Sequence, residues 1–86
     1  MPCMARGIVR FSLDNDAAAS GQNTTAARKL LESEGFVKIG TSSYESKDMP
    51  MNDVLGAIAK LCAQLHRLPH GVTVDHLWVY LDEPED

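Results

Sequence analysis

The sequence predicts one α+β domain in the order β-α-β-β-α-β, and three observations carry that reading. Residues 7–14 and 72–81 alternate side chains with a period of two, as half-buried strands do. Residues 51–65 instead repeat apolar side chains at three and four, which marks one face of a helix. At 86 residues the chain holds one domain and is too short for two.

Taken in order, Val9, Phe11 and Leu13 fall on one face of the first strand, and Ile8, Arg10, Ser12 and Asp14 on the other. Residues 14–25 are small and polar without a long apolar side chain, which predicts a flexible connection. A helix then starts near Asn23 or Thr24, either of which can accept a hydrogen bond from the free N–H groups of the first turn. Ala27, Leu30 and Leu31 form its apolar stripe, and Gly35 stands where a left-handed residue ends a helix. Residues 36–40 read as a short strand, and 41–46 as its hairpin partner with the turn around Gly40 to Ser43. A single bent strand fits the same residues.

The second helix has Pro50 in its first turn and a stripe of Met51, Val54, Leu55, Ile58, Leu61, Cys62 and Leu65. Cys62 is expected as a buried thiol on that stripe; Cys3 is too near the terminus to interpret. Pro69 and Gly71 end the helix. The last strand, Val72 to Leu81, puts Leu77, Val79 and Leu81 on one face and Val74, His76, Trp78 and Tyr80 on the other, and Pro84 stops it. Together these elements make a ferredoxin-like fold, a four-stranded antiparallel sheet with both helices on one face. The aliphatic strand faces go under the helices. The opposite face is left open and carries Ile8, Arg10 and Ser12 beside His76, Trp78 and Tyr80.

The charge count, 8 Lys plus Arg against 12 Asp plus Glu, gives a net of −4 and no strongly basic nucleic-acid footprint. Four of those acids, Asp82, Glu83, Glu85 and Asp86, fall in the last five residues and read as a solvated tail; the remainder balances 8 against 8. No signal segment or membrane-spanning run is evident, so the chain reads as cytoplasmic with no membrane partner. A domain of this size buries only about two thirds of its unfolded surface, so a second copy is expected to help its marginal core. Ile8, His76, Trp78 and Tyr80 on the open face are the expected homodimer interface. Base stacking on Trp78 and Tyr80 is the rival use of that face, disfavoured by the single strand that carries both rings and by the acidic tail.

Among candidate chemical groups, Asp14, Asn15 and Asp16 stand at the exit of the first strand. Asp14 can help hold Mg²⁺ or Mn²⁺, which needs few protein carboxylates when water and phosphate complete its shell, and two copies of Asp14 would share the ion if the open faces pair. The simpler reading is that these residues make a turn. Ser12 lies one residue pair before Asp14 on the same face. His76 is the histidine placed to reach a partner chain or move a proton, whereas His66 suits a helix end and His70 lies in the next turn.

The stretch 27–44, with its helix, Gly35-Phe36-Val37 and Ser42-Ser43-Tyr44, resembles the virulence-associated protein D family, which is similar in turn to the small CRISPR-adaptation nucleases. Asp48-Met49 with Val54-Leu55-Gly56-Ala57-Ile58 resembles that family's second helix start, and Phe11-Ser12-Leu13 sits where its Phe-Asp-Leu stands. The resemblance spans about residues 8–81. It implies a ferredoxin-like dimer, toxin-type endoribonuclease activity on RNA as in some members of that family, a divalent metal, and a protein antitoxin as a partner. The family's strand-end aspartate is Ser12 here, and Asp14 follows on the same face about 7 Å along the strand. The expectation is a dimeric endoribonuclease with Asp14 catalytic and metal-binding, Ser12 as an auxiliary donor, and Arg10 or Arg67 holding phosphate. Its rival is a noncatalytic dimeric accessory protein that keeps the fold and uses the open face for protein contacts.

Overall fold

The alternation of residues 7–14 extends back to Met4, and the whole stretch forms the central strand β1 (Met4–Asp14). The structure is a computed structural model and describes residues 4–82. Cys3, Glu83, Pro84, Glu85 and Asp86 lie outside the described residues. After β1 come α1 (Gln22–Ser33), β2 (Val37–Gly40), β3 (Ser43–Pro50), α2 (Met51–His66) and β4 (Thr73–Asp82). The sheet order is β2-β3-β1-β4 and each neighbouring pair is antiparallel. This is the expected ferredoxin-like arrangement.

Ala5, Val9 and Phe11 on the inner face of β1 are fully buried against Ala27 and Leu31 of α1 and Val54, Ala57 and Leu61 of α2. Phe11 stacks on Tyr44 of β3 with ring centroids 6.0 Å apart. A Cβ at Gly7 would come within 2.8 Å of Val54 Cγ1, so the absence of a side chain there sets how closely α2 approaches the sheet. The end of α1 is fixed locally: Gly35 has φ +99°, its N–H bonds the Glu32 carbonyl, and the Phe36 N–H reaches back to Leu31. The hairpin stands as expected, with Gly40 opposite Ser43 and Ser42 in the left-handed region.

Several expectations are corrected. Residues 14–25 are not a loose connection. A 3₁₀ turn, Asp16–Ala19, folds the chain back on itself, and α1 begins at Gln22. β3 runs to Pro50 rather than ending at Ser46, because the longer β1 gives it partners: Met4 pairs with Pro50 and Ala5 with Met49 across a bulge. Pro50 therefore precedes α2 at the cap position instead of standing in its first turn. Leu55 and Cys62 are exposed. Each follows a buried residue, Val54 and Leu61, and so sits about 100° round the helix from the buried seam.

The largest departure concerns β4. Its backbone pairs with β1 along its length, yet the helices make at most marginal contact with it, and every residue from Thr73 to Tyr80 is exposed. Leu77 and Val79, expected under the helices, are each 38% exposed. Asp82, expected in a solvated tail, belongs to the strand: it accepts from Arg6 at 3.4 Å and from the Tyr80 hydroxyl at 2.7 Å.

Candidate functional site

Strict alternation along β4 would point Asp75 toward the helices together with Leu77 and Val79. A bulge prevents this. Ser12 pairs with His76, the next β1 residue Leu13 pairs with Val74, and Asp75 is the extra residue between them. Val74 is thereby moved to the Leu13 side of the sheet, opposite to its expected face. Asp75 and His76 both turn to Ser12. The Ser12 hydroxyl donates to Asp75 Oδ2 at 2.8 Å and lies 3.0 Å from His76 Nδ1, and Nδ1 is 3.4 Å from the same carboxylate oxygen. Hydrogen bonds from Ser12 and then His76 hold the Asp75 carboxyl below its ordinary range, so the cluster keeps an ionised acceptor.

Arg10 and Trp78 form the adjacent cross-strand pair on the same face. Arg10 Nε donates to the buried Ser43 hydroxyl at 3.2 Å, and its guanidinium has no carboxylate partner among the described residues. Trp78 is 50% exposed and nearly parallel to Tyr80, with centroids 6.1 Å apart. Arg6 covers the Tyr80 ring at 5.7 Å while reaching Asp82, which braces the far end of the aromatic row. Ile8 lies between Glu45 and Tyr80 in the cross-strand register and is half-buried. The open face thus brings together Arg10, Ser12, His76, Trp78 and Tyr80 as expected, and adds Asp75.

The remaining candidates lie apart from this cluster. Asp16 is 4% exposed and accepts four hydrogen bonds: from Asn23 N–H at 3.2 Å and Nδ2 at 2.8 Å, and from Thr24 N–H at 2.8 Å and Oγ1 at 2.7 Å. It caps α1 from outside the helix, and Asn23 and Thr24 are donors to it rather than the caps themselves. Asn15 donates to the Gly71 carbonyl at 3.0 Å. Asp14, the third residue at the strand exit, makes no side-chain hydrogen bond among the described residues; it is paired in register with Thr73 and exposed. Among the described residues no three His, Cys, Asp or Glu side chains gather as a metal-binding group. Arg67 lines a groove between the two helices with Asn23, Lys60 and Gln64, on the helix layer of the domain.

One signal in the sequence pointed to Asp75. A carboxylate at an inward phase of an otherwise aliphatic row is the mark of a bulge or an unprotected edge. Comparison of the chain with known protein families and with curated proteins gives no match. Among the described residues, no helix is long and apolar enough to cross a membrane.

Proposed function

We propose that this chain is a small endoribonuclease of the toxin type that works as a homodimer and cleaves RNA at the Ser12 end of its open sheet face. The observation that carries the reading is the Asp75 carboxylate, 2.8 Å from Ser12 Oγ. The resemblance to the virulence-associated protein D family implies an aspartate at position 12, and the neighbouring strand supplies a carboxylate to that same place. Beside it stand the Arg10 guanidinium, without a carboxylate partner among the described residues, for phosphate, the His76 imidazole for proton transfer, and an aromatic surface for a base.

The homodimer reading draws on β4. A ten-residue edge strand with Leu77 and Val79 bare on one face and Trp78 and Tyr80 on the other is an open template for pairing. A partner stacked on the open face would leave Leu77 and Val79 uncovered and would hide His76. Edge-to-edge pairing of two β4 strands protects the edge and leaves the Ser12 cluster accessible. The noncatalytic alternative, a dimeric interaction protein, rests on this same bare strand and differs in predicting no turnover.

Incubation of the purified protein with a mixed RNA pool tests the activity. The expected result is cleavage that falls at least about tenfold in Asp75→Asn and in Arg10→Ala, while Asp14→Asn cleaves normally. No cleavage by the native chain, in the presence or absence of Mg²⁺ or Mn²⁺, removes the endoribonuclease reading in favour of the interaction protein.

A further inference from the structure

We infer that the Asp75–Ser12–His76 chain makes His76 a metal-independent general base for the 2′-hydroxyl of RNA, with Trp78 and Arg10 holding the base and phosphate beside it. The inference deepens the endoribonuclease reading and rests on it.

Hydrogen-bond bookkeeping sets the roles. An ionised Asp75 only accepts, so the single Ser12 proton goes to it, and the Ser12 oxygen is left to accept from His76 Nδ1–H. That arrangement places the imidazole lone pair on Nε2. The ring is about half exposed, with its side chain 49% accessible, so a substrate can approach it. When Nε2 takes a proton, the positive charge that forms is met through Ser12 by the Asp75 carboxylate, which also lies 3.4 Å from Nδ1. Ser12 is thus a positioning residue, and its own oxygen is poorly suited to attack because its proton is already given to Asp75.

The neighbouring register pair supplies the rest of the site. Arg10 and Trp78 lie two residues from Ser12 and His76 along their strands, about 7 Å away. A base stacked on Trp78 and a phosphate at Arg10 bring a ribose to His76. In the step, the 2′-oxygen attacks phosphorus as its proton passes to His76 Nε2. The bond from phosphorus to the 5′-oxygen breaks, and that oxygen takes a proton from water. The products are a 2′,3′-cyclic phosphate and a 5′-hydroxyl; the imidazolium then returns its proton to the hydroxide left in solvent.

The test follows cleavage of a defined RNA oligonucleotide by the full chain in EDTA, with end-group analysis. Cleavage that persists in EDTA and leaves cyclic phosphate ends is expected, together with its loss when the scissile nucleotide is 2′-deoxy. His76→Gln is expected to lower kcat at least about 100-fold, and Trp78→Ala to raise KM roughly tenfold. Ser12→Ala is expected to keep measurable activity while shifting the pH at which cleavage rises, since Asp75 then faces His76 directly, with Arg10 and Asp14 the other charged groups flanking position 12 on β1. Circular dichroism of each variant checks that these substitutions, at exposed His76 and Trp78 and half-buried Ser12, leave the fold in place. Cleavage that requires Mg²⁺, leaves 5′-phosphate ends or survives His76→Gln overturns the inference while the endoribonuclease reading stands. Absence of any cleavage by the native chain overturns both.

Discussion

Replacing Asp16 with alanine is expected to lower the stability of the domain by about 2–3 kcal/mol. The substitution strips both backbone N–H partners from the first turn of α1 and removes two side-chain bonds from Asn23 and Thr24. Against a total on the order of 4–13 kcal/mol for a domain of this length, that is a large share. Burial is the strongest single influence on the Asp16 carboxyl and pushes its pKa up. The four hydrogen bonds from Thr24 and Asn23 together outweigh it and leave the pKa below the ordinary value. The sign of the pH dependence follows. Because the folded pKa is depressed, the stabilisation is complete above the ordinary carboxylate value and is lost as pH falls through the folded one. The difference between native chain and Asp16→Ala, measured by urea unfolding, is therefore expected to be constant near neutrality and to shrink below about pH 4. A loss under about 0.5 kcal/mol at pH 7, the range of an ordinary surface change, would show that Asp16 does not hold the helix.

A second large effect is expected on assembly. Val79→Lys puts a charge on the bare inner face of the β4 edge, a device by which edge strands resist pairing. Sedimentation is expected to show the mass falling from twice 9.4 kDa to 9.4 kDa in this variant, while Ile8→Glu, in the middle of the open face, leaves the dimer intact. The opposite pattern, dissociation by Ile8→Glu alone, would return the interface to the open sheet face. The distinction matters for function, because only the edge arrangement leaves Arg10, Ser12 and His76 free for a nucleic acid.

The parts of this molecule that were legible in its sequence are those set by neighbours in the chain. The period of two in β1, the seam Val54, Leu61 and Leu65 of α2 and the Gly35 stop of α1 are local patterns, and the fold follows from their order. Where the reading failed, the deciding interaction was not local. Asp16 resembles any turn aspartate until the 3₁₀ turn carries it to the N–H groups of Asn23 and Thr24. Cys62 and Leu55 satisfy the helical spacing, but the buried seam is narrow and they lie beside it. The inward phase of Leu77 and Val79 was legible, but their exposure was not, since it depends on how far α2, settled over Gly7, reaches across the sheet.

The candidate site shows the same division. Arg10, Ser12, His76, Trp78 and Tyr80 were placed on one face by simple alternation. Asp75, which completes the cluster, reaches that face only because a single extra residue interrupts the pairing of β4 with β1. The bulge sets Asp75 beside Ser12, where the sequence had offered Asp14 as its partner.

The claim that the Ser12 end of the open face is an RNA site is tested most directly by nuclear magnetic resonance titration with a 2′-O-methyl RNA oligonucleotide, which binds without offering a 2′-hydroxyl. The expected result is saturable shifts of the Trp78 indole N–H and of the Arg10, Ser12 and His76 amides. Shifts confined to Asn23, Gln64 and Arg67 in the groove between the helices, or no shifts at all, would contradict it.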